Sequence, residues 1–196
     1  EAFLLATITV DRLPALAAIA ARLRHLFDLD ADPEPIAAHL GRDPALASRL
    51  AVRPGLRVPG AWDAFELAVR ATIGQQVSVS AASTLAGRLA ATFGERLSTP
   101  NSSRDLRVLF PEAKTLAHAD LSSIGVPRAR AAAISSLAAA VMRDPALLRT
   151  TSSVEHTVAK LVTLPGIGDW TAAYIAMRAL REPDAFPVSD LGLLRA

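Results

Sequence analysis

A chain of 196 residues, 51% of them apolar and 20% charged, can build one good core or two small domains, and its formal charge of +2 is too balanced for the total to define a partner. The absence of cysteine excludes disulfides, a cysteine nucleophile and an iron–sulfur cluster. No apolar run reaches the ~20 residues that span a membrane, and no basic segment followed by an apolar core opens the chain, so a cytoplasmic protein is expected.

Ala and Leu dominate while aromatic residues are only 5%, a composition that favours packed helices over sheet. Residues 1–10 are the exception. Thr7, Ile8, Thr9 and Val10 are β-branched and read as a strand, which needs partners, so the chain is expected to begin inside an N-terminal domain that contains a sheet. Asp11 then caps a helix to about residue 27, with Pro14 near its first turn. Asp32-Pro33 opens a short helix ending at Gly41, and Asp43-Pro44 another ending near Val52. Residues 53–60, with Pro54, Gly55, Pro59 and Gly60, read as a loop. Residues 62–73 form a helix with Trp62, Phe65 and Val69 on one face, interrupted at Gly74-Gln75-Gln76. Ser78 caps the next helix, to about Phe93 before Gly94. A polar loop follows at 98–105, then short helices at 107–110 and 111–118, and a single turn at 120–125. A longer helix spans 128–142, Asp144-Pro145 starts a short one, and Ser153 caps a helix to Val162. A glycine-bounded turn leads into a helix from Asp169 to about Leu180. Residues 182–189 are a loop, and Asp190 begins a final helix.

The most informative string is Leu164-Pro165-Gly166-Ile167-Gly168-Asp169-Trp170. Two glycines flank Ile167, so the chain can turn tightly while Ile167 tucks inward and pins the turn. The amides of Gly168 and its neighbours then lie at a helix N-terminus, whose unsatisfied donors and positive dipole suit a phosphate. All but two of the 21 basic residues are arginine, which favours bidentate phosphate contacts. Trp170 and Tyr174 are four apart and share a helix face. That face serves either core packing or stacking on an extruded base. Asp190 is either an N-cap or a carboxylate held in a cleft, where it stabilises positive charge on a sugar or activates water. His25, His39, His118 and His156 are scattered without metal-ligand spacing. Asp28, Asp30, Asp32 and Glu34 lack the central Gly and terminal Glu of a calcium loop and read as a solvated turn and cap.

These residues carry a family resemblance. Residues 164–174, Asp190, Trp62-Asp63-Ala64-Phe65-Glu66, Gly74-Gln75-Gln76-Val77-Ser78 and residues 119–132 together resemble the helix–hairpin–helix DNA glycosylases, specifically the 3-methyladenine-DNA glycosylase II branch. The resemblance implies a mostly α fold of two helical subdomains with a cleft, preceded by the end of a small α+β N-terminal domain. In this division 1–29 ends the N-terminal domain, 30–61 and 181–196 are parts of a discontinuous helical subdomain, and 62–180 form a helical subdomain with its hairpin at 162–170.

By the same resemblance, Trp170 and Tyr174 line the base pocket and Asp190 supports cleavage of the N-glycosidic bond. Gln75, Gln76, Gly166, Gly168 and Thr171 bind DNA. Gln76 stands where the family usually offers an apolar wedge to fill the space of the flipped nucleotide. The carbonyls of Val162, Leu164 and Ile167 match positions that hold a monovalent cation, Na or K, bridging to a DNA phosphate, and the chemistry needs no cofactor. Bifunctional relatives carry a lysine where this chain has Trp170, which implies a monofunctional enzyme with water as the nucleophile. The expected function is excision of alkylated purines of the 3-methyladenine and 7-methylguanine type from damaged double-stranded DNA, in base excision repair. A nucleoid-associated monomer is expected, away from membranes. The alternative is a non-catalytic helix–hairpin–helix DNA-binding module.

Overall fold

The computed structural model describes residues 3–97, 106–149 and 153–195. Among the described residues ten α-helices run in chain order: α1 (Ala15–Leu26), α2 (Pro33–Leu40), α3 (Pro44–Val52), α4 (Ala64–Ile73), α5 (Val79–Phe93), α6 (Ala113–Leu116), α7 (Arg128–Arg143), α8 (Val154–Val162), α9 (Asp169–Ala179) and α10 (Leu191–Leu194). A 3-10 turn, Leu121–Ile124, precedes α7. The chain divides into two compact units, one within Glu1–Trp62 and one within Asp63–Ala196. Helices α2 and α3, from the 30–61 segment, fall in the first unit, and residues 181–195 fall in the second.

Helix starts follow local chemistry. Asp32, Asp43, Asp63, Ser78, Asp120 and Ser153 each sit in extended backbone and accept a first-turn amide, which satisfies one of the donors a helix leaves unpaired. In the first unit Arg57 donates to the carbonyls of Asp28 and Ala31, Arg24 pairs with Asp30, and the Arg22 guanidinium lies 5.2 Å from the centre of the Trp62 ring. In the second unit α4 packs against both α9 and α7, α8 against α9, and α6 against α7. Their shared core includes Val69, Ile73, Leu89, Ile134, Leu137, Leu161 and Ile175, all essentially without solvent exposure.

Five expectations are corrected. Residues 3–10 form no strand, and Phe3 and Leu5 are exposed, because no partner strand stands among the described residues. Asp11 does not cap α1. A turn in which Ala15 N–H donates to the Arg12 carbonyl precedes a helix whose cap is Pro14. Trp62 lies outside α4, because Asp63 takes the cap by accepting from the Glu66 amide at 2.8 Å. The helix expected at 107–110 is replaced by an isolated antiparallel bridge between Arg96 and Val108, with Leu97 N–H on the Arg107 carbonyl and Leu109 N–H on the Glu95 carbonyl. After Asp144 the chain makes i to i+3 turns instead of a helix. The polar loop expected at 98–105 lies outside the described residues.

Candidate active site

The hairpin between α8 and α9 is shaped by its own sequence. Leu164 N–H closes the last turn on the Leu161 carbonyl at 3.0 Å, and Pro165, without an amide hydrogen, ends the pattern. Gly166 has φ +78°, in the left-handed region. A Cβ built there meets the Ala133 Cβ of α7 at 2.7 Å, so both conformation and packing demand glycine. Ile167 returns to the core at 3% exposure while its amide donates to the Leu164 carbonyl at 3.1 Å. Gly168 then caps α9 without any side-chain hydrogen bond, and nothing lies within 4 Å of where its Cβ would stand. The first amides of α9 are therefore left for a ligand at the positive end of the helix, while Asp169 occupies the first helical position.

The loop after α4 is tied to this hairpin. Gln75 Nε2 donates to the Gly166 carbonyl at 2.9 Å and to Thr171 Oγ1 at 2.8 Å, and Arg130 of α7 donates to the Gln75 main-chain carbonyl. Gln76 is exposed, with φ +57°. The side chains of Gln75 and Thr171, both expected at the DNA, thus bond to each other within the protein. Thr171 is only 2% exposed, so its hydroxyl is held inside the protein by Gln75 and not presented at the surface.

Along α9, Trp170 and Tyr174 stack with ring centroids 5.3 Å apart and planes 17° from parallel. Tyr174 Oη accepts from Arg178 at 3.2 Å, and the Arg178 guanidinium lies 5.7 Å from the centre of the Tyr174 ring. The far end of the stripe meets Asp190. Trp170 Nε1 donates to Asp190 Oδ2 at 2.8 Å, while Oδ1 accepts the amides of Gly192 at 2.8 Å and Leu193 at 3.1 Å, capping α10. The indole hydrogen bond above all, then the helix amides, hold this carboxyl below the usual aspartate range. Asp190 is therefore ionised at neutral pH. It can face a developing cation or orient water, and it cannot serve as a proton donor there. The two lysines are engaged elsewhere: Lys160 with Asp144 at 3.0 Å, Lys114 with Glu112 at 2.7 Å. No cluster of three or more metal-ligating side chains occurs among the described residues.

The structure thus gathers the expected residues into two groups, hairpin with Gln75 and Thr171, and Trp170 with Tyr174 and Asp190, joined through α9. Comparison with known proteins agrees with this architecture. Residues 1–63 match the AlkA N-terminal domain family. The chain is 43% identical over 186 residues to the probable bifunctional transcriptional activator/DNA repair enzyme AlkA of Mycobacterium tuberculosis, covering 95% of this chain and 37% of that protein. It is 40% identical over 181 residues to DNA-3-methyladenine glycosylase 2 of Escherichia coli, covering 90% of this chain and 60% of that one. Among solved structures, the 3-methyladenine DNA-glycosylase from Archaeoglobus fulgidus superposes with a TM-score of 0.77 at 25% identity, over 93% of this chain and 62% of that chain. Over nearly all of its length the chain is thus similar to 3-methyladenine DNA glycosylases, and its fold is theirs. It spans 37% and 60% of the lengths of its two named relatives.

Within this fold, three contacts were not read from the sequence. Ala133 gives Gly166 its seat, Arg130 anchors the Gln75 main chain, and Arg178 brackets Tyr174. Arg178 was within reach, since it continues the Trp170 and Tyr174 stripe by one more step of four. Nothing local marks Ala133, which matters only because of a segment 33 residues further on.

Proposed function

We propose that the protein is a monofunctional DNA N-glycosylase that removes alkylated purines, such as 3-methyladenine and 7-methylguanine, from duplex DNA in base excision repair. The observation that carries this reading is the Asp190 carboxylate hydrogen-bonded to the indole of a stacked Trp170–Tyr174 pair, with Trp170 in the first turn of a helix whose N-terminus has no side-chain cap. A purine alkylated in this way is positively charged and already a good leaving group. An aromatic face that favours cations and one ionised carboxylate then suffice, without a strong general acid.

In this mechanism the Gly168 end of α9 anchors the backbone beside the lesion, and the damaged nucleotide rotates out of the stack at a cost of a few kcal/mol. The base meets the face of Trp170 and Tyr174, and Gln76 borders the vacated space. The glycosidic bond breaks with oxocarbenium character, Asp190 stabilises that charge, and water adds to the sugar. Both lysines being paired away from Asp190 supports water as the nucleophile.

A monovalent cation fits the hairpin carbonyls of Val162, Leu164 and Ile167. The end of α8 leaves its last carbonyls without i+4 amides, and Leu164 O keeps a lone pair beyond the one given to Ile167 N–H. Such an ion neutralises DNA phosphate charge and takes no part in bond cleavage. One such site is sufficient for a monomer to act on a damaged duplex.

The test is incubation of the full-length protein with methylated duplex DNA. Free methylated purines and alkali-sensitive abasic sites are expected, with no borohydride-trappable complex. A trapped complex contradicts the monofunctional reading, and intact DNA contradicts the glycosylase reading.

A further inference from the structure

We propose that Gln75 is a positioning residue that couples the backbone-gripping hairpin to the loop facing the vacated base, rather than a residue that touches DNA itself. This rests on the glycosylase reading above. A primary amide has two N–H donors, and in Gln75 both are committed within the protein: one to the Gly166 carbonyl, one to the Thr171 hydroxyl, across 91 and 96 residues of sequence. The same residue's main-chain carbonyl accepts from Arg130. Arg130 lies on α7, the helix whose Ala133 bears on Gly166. Loop, hairpin and α7 therefore close a ring of contacts in which Gln75 is the common member.

The next residue does the opposite. Gln76 is exposed and holds φ +57°, a conformation unfavourable for a residue with a side chain. A left-handed non-glycine residue persists where its neighbours over-determine it. Here the neighbour on one side is clamped at both its side chain and its carbonyl. Gln75 turned inward thus fixes the presentation of Gln76 turned outward, and ties that presentation to the position of Gly166 in the hairpin.

The consequence is a separation of effects. Loss of the Gln75 amide removes no phosphate contact, so affinity for undamaged duplex and its salt dependence are retained. What is lost is the coupling that lets the gap-facing loop act once the hairpin has seated. The experiment is a double-mutant cycle on the full-length protein with Gln75→Met, which keeps length and shape but has no donors, and Gln76→Ala. Single-turnover release of 7-methylguanine and binding to undamaged duplex over a range of salt are measured for all four proteins. The expected result is a loss of release of about 10-fold or more in Gln75→Met, with duplex affinity within about 2-fold of the parent and the same salt slope. The double variant is expected to fall no more than about 2-fold below the weaker single variant, because the two residues act through one another.

Multiplicative losses in the double variant overturn the inference, as does a reduced salt slope in Gln75→Met, which marks a direct phosphate contact. Release by Gln75→Met at the parent's rate also overturns it. If thermal melting shows Gln75→Met unfolded, the cycle is run with Gln75→Glu, which keeps an acceptor near Thr171 but cannot donate to the Gly166 carbonyl. A parent that releases no base overturns the glycosylase reading itself, an outcome distinct from a releasing parent with an indifferent Gln75.

Discussion

At Asp190 the two oxygens of one carboxylate hold different partners, and the helix cap open in the sequence uses only one of them. Oδ1 caps α10, and Oδ2 takes the indole N–H of Trp170. Because the indole bond is the largest influence holding the carboxyl below its usual range, Trp170→Phe should move the Asp190 pKa upward, toward the ordinary aspartate value of about 3.9. A carbon-detected carboxyl titration measures this, and an unchanged titration would remove Trp170 as the cause. The sign for stability follows. A carboxyl depressed in the folded state contributes stability that is fully present above its unfolded pKa and lost as pH falls through the lower folded value. Base release should therefore stay insensitive to Asp190 titration from neutrality down to the ordinary aspartate range. A loss of release near pH 6 that tracks this carboxyl would contradict the depressed value. The sequence makes the cap and the aromatic spacing visible. The 2.8 Å indole bond across 20 residues is not local and could not be read from it.

At the scale of elements, punctuation is where sequence reading succeeds. Caps at Asp32, Asp43, Ser78 and Ser153 are set by a side chain and an amide two or three residues away, so a linear string suffices, whereas Asp63 caps by the same chemistry where the helix was expected to begin at residue 62. Residues 3–10 and 107–110 depend on whether another segment offers an edge, and there the reading failed. The hairpin lies between these cases. Its glycines are legible, but their inequality is not. Gly166 has φ +78° and Ala133 at 2.7 Å from an added Cβ, whereas Gly168 has φ −90° and open space. Gly166→Ala should destabilise the protein by about 2–4 kcal/mol, from left-handed strain plus overpacking. Gly168→Ala should leave the melting temperature nearly unchanged while weakening duplex binding, since its cost is a methyl group at the helix end that the proposed function sets against the DNA backbone. Paired thermal melts and duplex titrations measure both, and equal melting shifts would contradict this division of labour.

Over the whole molecule, burial is concentrated in the second unit. Helices α1, α2 and α3 contain no buried residue, and Leu13, Phe27, Ile36, Val52 and Leu56 are exposed. The core helices α4, α7 and α9 bury Val69, Ile73, Ile134, Leu137 and Ile175 completely. Hydrogen exchange should accordingly be fast in α1–α3 and slowest in α4, α7 and α9, because protection follows buried contact. Equal protection across the two units would contradict it. The family resemblance made the helical fold legible as a whole, since motifs from Trp62 to Asp190 are carried in one order. The extent of the N-terminal unit was not legible, because an Ala- and Leu-rich helix reads alike whether or not its apolar face is covered.

The most direct test of the central claim is single-turnover release of methylated purines from duplex DNA by the full-length protein and by its Asp190→Asn variant, with DNA affinity measured in parallel. Asparagine retains an oxygen for the helix amides but carries no charge, so release should fall by about 100-fold or more while affinity stays within a few-fold. Release by Asp190→Asn at the parent's rate would contradict the assignment of the chemistry to this carboxylate.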